Sequence, residues 1–475
     1  MRVFLPALLI LALGGAGLAQ TVAPVTPSRI TLRPVMSGEV AALAKRPPSG
    51  RVGLLVRDLE TGKVVEAFRP DELFTPASTM KLVSMAARLT QSGPDGRYTA
   101  EVTAPAADIA ALSAKADAPA GRLGSLTLRG GGDPSLGITG RYSLSALARQ
   151  LYAKGVREVG EVRLSGDIDS ATWPALPLGT PVASLRLEGE PGWNDTPAGY
   201  AARVQRAFEG QLRRAGIRVI GAERVRLGEQ IGQMALSDFV SVSENAPLPP
   251  NIAPEQMLAS VASAPLSELV RQTLKPSSNV WSEQLAAALG LSELGVPDKG
   301  NADQSATHAG MVAGLRRFLK LAGVNAAPLE LHDASGLSAS NRLTPRTLVT
   351  VLRRMYDLPI ADTSLSAQIT PLTPAQVFMA RKNLFIEALP RGGTGTATPQ
   401  ARAQGGTLAG RFVGSGLDVR AKTGTLEGVS CLSGYVRGKS GHVLAFALML
   451  DGASGSALEL RAYQDKLLRV IAAGH

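Results

Sequence analysis

Ser78 and Lys81 stand three residues apart in Phe74-Thr75-Pro76-Ala77-Ser78-Thr79-Met80-Lys81-Leu82-Val83. On a helix that spacing puts both side chains on one face. A serine hydroxyl is a weak nucleophile at neutral pH until a base takes its proton. A lysine amine can be that base when burial or a neighbouring cation lowers its proton affinity. A helix start adds unpaired N–H groups where a developing oxyanion could sit. The plainer alternative is a serine N-cap followed by a solvated lysine, and for an isolated S-x-x-K that alternative is the stronger.

Two other segments change the balance. Lys275-Pro276-Ser277-Ser278-Asn279 is a polar stretch wedged between two apolar helical runs. Ser277 and Asn279 offer a hydroxyl and an amide there, although a capping turn uses the same residue types. The S-x-N pattern is weak alone, since Ser243-Glu244-Asn245 repeats it beside a proline-rich stretch. The third segment, Lys422-Thr423-Gly424-Thr425, reads as part of a strand. Lysine supplies a fixed positive charge and threonine a hydroxyl that can bind a carboxylate. Glycine leaves room for a substrate backbone along the strand edge. K-T-G is the rarest chance match of the three, and the ordered set is far rarer than any member.

The elements around these segments must bring them together. Residues 51–58 and 63–68 read as a hairpin that leads into the Ser78 helix, which stops near Gln91-Ser92-Gly93-Pro94. From Tyr98 to about Leu248 the chain shows short apolar runs broken by Gly, Asp and Pro, with no nucleophile–base pair of its own. Gly130-Gly131-Gly132-Asp133-Pro134 lacks the spacing of a phosphate loop and reads as a tight turn. Proline-rich 247–254 crosses back. Helices are expected over 265–274, 280–289 and 307–323, and strands over 417–425, 429–436 and 442–450 before a closing helix. This divides the chain into a leader (1–19), a first part (20–96), one or two inserted domains (97–255) and a second part (256–475).

Met1-Arg2, the apolar run Val3–Leu18 and small residues before Gln20 read as a secretory leader. A retained anchor is the lesser reading, since the run is short for a span. No other stretch reaches transmembrane length, so no stable membrane span is expected and the protein should act outside the cytoplasm. The net charge of +11 favours anionic surfaces. The charges are scattered, with no basic run or aromatic ladder, so nucleic acid is not an expected partner. Cys431 is alone, which rules out an intrachain disulfide, and reads as a buried small hydrophobe. None of the four histidines is placed for a metal site.

The ordered set S-x-x-K, S-x-N, K-T-G resembles that of penicillin-recognising serine acyltransferases. Flanking stretches resemble the D-alanyl-D-alanine carboxypeptidase/endopeptidase family, the low-molecular-mass (class C) penicillin-binding proteins with a large insert. They are Phe74–Leu82, Gly130–Leu136, Pro191–Asp195, Lys275–Asn279, Asp333–Ser338, Gly406–Leu408 and Ala421–Thr425, and they span nearly the whole chain. Ser278 and Gly405 stand where that family often has aspartate, and Gly393–Gln404 is longer than usual.

The resemblance implies an α+β, β-lactamase-like transpeptidase domain: an antiparallel sheet flanked by helices, a helical subdomain, and one or two inserted mostly-β domains. It implies hydrolysis of peptidoglycan stem peptides through a Ser78 acyl-enzyme, with Lys81 as base and Ser277 relaying the proton. Asn279, Lys422, Thr423, Gly424 and Thr425 would bind substrate, with Asn279 alternatively orienting Lys81, and the N–H groups of Ser78 and Thr425 would hold the oxyanion. Asp169 is a further candidate, matching a family aspartate that reaches in from the insert, and equally readable as a turn aspartate. No metal or cofactor is expected. β-Lactams would acylate Ser78. A periplasmic or wall-associated location follows from the same resemblance. The rivals are a β-lactamase or esterase on the same fold, for which no glutamate stands in a suitable loop after Asn279, and a catalytically idle wall-binding scaffold.

Overall fold

Every residue of the strand Val443–Asp451 is buried, because helices cover both faces of the sheet around it. Successive side chains of a strand point to opposite faces. Val443, Ala445, Ala447 and Met449 enter one core, while Leu444, Phe446, Leu448 and Leu450 enter the other. The computed structural model that shows this describes residues 36–113, 121–174, 181–189, 196–220, 255–291, 306–358 and 372–475. The expected leader, the stretch Pro191–Asp195 and the second S-x-N lie outside them.

In chain order the strands are β1 (Arg51–Asp58), β2 (Val64–Phe68), β3 (Thr99–Pro105), β4 (Arg122–Gly130), β5 (Glu158–Gly166), β6 (Arg218–Val219), β7 (Glu255–Ala262), β8 (Val419–Leu426), β9 (Val429–Arg437) and β10 (Val443–Asp451). The first sheet has the order β2-β1-β10-β9-β8, with every neighbouring pair antiparallel. The N-terminal hairpin therefore joins the C-terminal strands, with Arg51 opposite Asp451 and Leu55 opposite Ala447. This pairing brings the start of the Ser78 helix to the strand that carries Lys422. Helices Met80–Ser92, Leu266–Leu274, Asn279–Ala287, His308–Leu321 and Pro345–Asp357 fill the core on one face. Gly38–Ala44 and Ala457–Gly474 cover the other. Cys431 is buried in the first of these cores.

The second sheet has the order β6-β5-β4-β3-β7. It is mixed: β3 runs antiparallel to β4 and β7, while β4, β5 and β6 are parallel. Helices Leu144–Ala153 and Pro197–Arg214 pack on it through Leu147, Leu151, Val204 and Phe208. The sheet takes in Glu255–Ala262, just past the proline-rich stretch. The inserted sheet closes only when β7 pairs with β3, Thr99 opposite Ala262.

The turn Ala77–Thr79 precedes the Met80–Ser92 helix, and Ala77 is held in the left-handed region at φ +46°. The loop Asp333–Ser338 braces it. Asp333 accepts from Gly336 N (2.7 Å), Ser338 N (2.6 Å) and Asn341 Nδ2 (2.8 Å). Gly336 has φ +78°, and a Cβ there would overlap the Ala77 carbonyl. Gly323 has nearly the same φ, +81°, but open space around it. Gly323→Ala should therefore cost only the conformational penalty of about 1–2 kcal/mol. Gly336→Ala should cost more, about 2–4 kcal/mol, because the Ser78 turn must also shift. Urea midpoints of the two variants check this; equal losses would show that the loop yields freely.

Candidate active site

The pleat of β8 sorts its side chains. Val419 and Ala421 enter the core beneath Ala457–Gly474, so Lys422 and Gly424 face the Ser78 side. Lys422 is fully buried; its Nζ donates to Ser277 Oγ at 2.8 Å and to the Thr423 carbonyl at 2.9 Å. Gly424 passes so close to the Ser78 turn that a Cβ would lie 2.7 Å from Pro76 O and 3.1 Å from Ser78 N. The protein's own backbone thus requires glycine at 424, independently of the substrate contact expected there.

Lys81 is fully buried on the first turn of its helix. Its Nζ lies 3.0 Å from Ser78 Oγ and donates to Asn279 Oδ1 at 2.6 Å and to the Ser335 carbonyl at 2.7 Å. Burial disfavours its charged form and lowers its pKa to about 7, against the pull of Glu283 and Asp333. Lys422 is pushed well below the usual lysine value, first by burial and then by Lys81.

Local structure explains how the middle segment contributes two residues. Ser278 is the N-cap of Asn279–Ala287, accepting from Trp281 N at 3.2 Å. The capping role falls to Ser278. Ser277 stands outside the helix at φ +65° and presents its hydroxyl to Lys422. Lys275, at the end of the preceding helix, donates to Leu389 O and Gln404 O, and its carbonyl accepts from Thr407 N. These bonds fasten the segment to the loop beside β8.

β8 is an edge strand, and its edge is only partly covered. Ala421 N donates outward to Pro390 O at 3.0 Å. N–H groups two residues apart in a strand point the same way, so those of Thr423 and Thr425 face the same edge beyond Pro390. Thr423 Oγ1 donates to Thr407 Oγ1 at 2.8 Å, and Thr425 is exposed. Ser78, Lys81, Ser277, Asn279, Lys422, Thr423, Gly424 and Thr425 thus share one locality.

Asp169 is the predicted candidate that the structure does not tie to them among the described residues. Its carboxylate accepts from Ala171 N at 3.1 Å and caps the turn Ser170–Thr172. Two groups escaped the sequence reading. Glu283 is fully buried one turn beyond Asn279 and accepts from Ser335 N at 2.7 Å and Ala334 N at 3.1 Å. The Ser335 carbonyl, a partner of Lys81, is backbone and carries no side-chain signature. Elsewhere, His442 Nδ1 meets Asp58 at 2.9 Å, but Asp58 and Glu60 also accept from Glu60 N, Thr61 N, Val443 N and Tyr356 Oη. That group braces the turn after β1.

Comparison with known proteins agrees with this geometry. Residues 36–208 and 227–473 match the D-Ala-D-Ala carboxypeptidase 3 (S13) family. A D-alanyl-D-alanine carboxypeptidase of an Actinomadura species is 30% identical over 469 residues, covering 85% of this chain and 78% of that protein. Carboxypeptidase DacB of Mycolicibacterium smegmatis is 29% identical over 443 residues, covering 88% and 81%. The crystal structure of penicillin binding protein 4 from Haemophilus influenzae superposes with a TM-score of 0.62 at 18% identity, covering 92% of this chain and 98% of that one, which shows the shared fold. With the family match running through both sheets and all three motif segments, the chain belongs to the D-Ala-D-Ala carboxypeptidase 3 (S13) family and is a serine-type carboxypeptidase of the penicillin-binding-protein fold.

Proposed function

We propose that the chain hydrolyses the terminal D-Ala-D-Ala bond of peptidoglycan stem peptides through an acyl-enzyme on Ser78, outside the cytoplasm. One observation carries the reading: Lys81 Nζ lies 3.0 Å from Ser78 Oγ and is held by two carbonyl oxygens. A neutral amine has two hydrogens and one lone pair. Asn279 Oδ1 and the Ser335 carbonyl take the hydrogens, which leaves the lone pair facing the Ser78 hydroxyl.

In the acylation step Lys81 takes the Ser78 proton while Ser78 Oγ bonds to the carbonyl carbon of the penultimate D-alanine. The carbonyl π pair moves onto oxygen, which the Ser78 and Thr425 N–H groups hold, each worth about 3–4 kcal/mol in such sites. Collapse breaks the C–N bond. The leaving amine takes, through Ser277, the proton that Lys81 had accepted, which returns Lys81 to its neutral form; Ser277 bonds Lys422. Lys422 and Thr423 bind the terminal carboxylate. Water then adds to the acyl carbon with Lys81 as base and frees Ser78. The same groups cut a cross-link when the leaving amine belongs to a second stem. β-Lactams enter the same path and stall as the acyl-enzyme. No described helix is long and apolar enough to cross a membrane.

A fluorescent penicillin should label the wild-type chain stably, Ser78→Ala should lose the label, and Lys81→Arg should acylate about 100–10,000-fold more slowly because arginine stays protonated. Fast turnover of penicillin would favour a β-lactamase, and no labelling a scaffold.

The pH dependence follows from burial. The folded Lys81 pKa is depressed to about 7, so the base form dominates above that value and disappears below it. Then kcat/KM for a D-Ala-D-Ala peptide should fall about tenfold per pH unit on the acid side, with its midpoint near 7. An acid limb in the ordinary carboxylate range would remove Lys81 as the base.

A further inference from the structure

We propose that Glu283 is a positioning residue for acylation: it fixes the Ser335 carbonyl against Lys81 and places a carboxylate near that amine. The inference rests on Lys81 being the base.

The geometry makes a short relay. Glu283 is fully buried on Asn279–Ala287. One carboxylate oxygen accepts from both Ala334 N (3.1 Å) and Ser335 N (2.7 Å), and the other also accepts from Ala334 N (3.2 Å). The carbonyl of Ser335 then accepts from Lys81 Nζ at 2.7 Å. Asn279 stands one turn before Glu283 on the same helix and supplies the second acceptor for that amine, at 2.6 Å. A single helix face therefore sets both oxygens that orient the Lys81 lone pair, one directly and one through the Ala334–Ser335 peptide.

The surroundings make the clamp specific. Ala334 O is occupied from the other side by Ser84 Oγ at 2.7 Å and Ser282 Oγ at 2.9 Å, so this stretch of backbone is pinned at both its N–H and C=O groups. Without Glu283, two buried N–H groups would lose their acceptor, and the Ser335 carbonyl would be held only from its far side, through Gly336 N on Asp333.

Charge adds a second, separable effect. The ionisable groups that face Lys81 are Glu283 on its helix, Asp333 on the bracing loop and Lys422 on β8. Burial pushes the proton off Lys81, while Glu283 and Asp333 hold it on, and Lys81 in turn lowers Lys422. Glu283 itself is raised from the ordinary carboxylate range, by burial first and by Asp333 second. Removing its charge makes Lys81 easier to deprotonate, even as the loss of its reach misdirects the lone pair.

The test is the rate of acylation by a fluorescent penicillin across the neutral pH range, on the full chain. Glu283→Gln should lower the plateau about 10–100-fold and move the acid limb to lower pH, since the charge that held the Lys81 proton is gone. Glu283→Asp keeps the charge but shortens the reach, so its plateau should fall while the limb stays in place. A residue that merely supports the fold would leave the limb of the folded fraction where it is. If Glu283→Gln matches wild type in both plateau and limb, the inference is wrong. If Glu283→Gln does not fold, a Glu283→Asp plateau unchanged per folded molecule overturns it, and a plateau lowered per folded molecule, which loss of fold alone would not give, supports it. Failure of wild type to be labelled at all would sink the Ser78 acyl-enzyme reading instead, so the two failures are distinguishable.

Discussion

Two lysine side chains, Lys81 and Lys422, are fully buried in one cluster. Two ammonium groups cannot both stay charged there, because each loses its water and repels the other. The rest of the site is the set of structures that makes this tolerable. Each amine is given acceptors that require no counter-charge: Asn279 Oδ1 and Ser335 O for Lys81, Ser277 Oγ and Thr423 O for Lys422. The carboxylates near Lys81 are kept one step back, engaged with backbone N–H groups instead of the amine. A direct ion pair would hold the proton on Lys81. The arrangement buries the lysine deeply enough to depress its proton affinity and still satisfies its hydrogen bonds.

Backbone strain sits beside the same atoms. Ala77 and Ser277 are non-glycine residues at positive φ, one preceding Ser78 and the other carrying the hydroxyl on Lys422. Such conformations persist only where the surroundings over-determine them. At Ala77 those surroundings are two glycine backbones, Gly336 and Gly424, whose missing side chains let the loop and β8 press against the turn. At Ser277 they are the cap made by Ser278 and the anchoring bonds of Lys275. The doubly covered sheet matters for the same reason. With Leu448 in one core and Met449 in the other, β10 cannot slide without turning each apolar side chain out of its layer, and β8 is held in register through β9.

The sequence made part of this visible, and the limits have physical causes. The three motif segments and the strands around Lys422 were legible because side-chain type and period-two alternation are local properties. β7 was not, since Glu-Gln-Met-Leu-Ala-Ser-Val-Ala has little alternation and several helix-favouring residues; its state is set by pairing with β3, far away in the chain. The helix Pro345–Asp357 carries a readable start, with Thr344 as cap and Pro345 at the first position. Ser335 contributes a carbonyl, which every residue has, so no pattern could single it out. Glu283 could have been noticed as an acidic residue one turn after Asn279 on an apolar helix. Asp169 is readable both as a site aspartate and as a turn aspartate, and the bond it makes is that of a turn cap.

An exposed sheet edge is ordinarily a hazard, because unpaired N–H and C=O groups recruit other strands. Here the edge of β8 is closed where it can be. Pro390 pairs with Ala421, and Arg391 bridges Arg420. What stays open begins at Thr423, next to the buried amines and the Ser78 turn. A peptide laid along that stretch finds backbone N–H groups on one side and two hydroxyls, Thr423 and Thr407, within hydrogen-bond distance of each other. Toward Val419 the edge is covered, with Gly392 N donating to Val419 O at 2.9 Å. The exposure that most proteins suppress is kept at the few residues where, on the proposed reading, the edge would orient a scissile bond, and Gly424 lets that part of β8 approach the Ser78 turn.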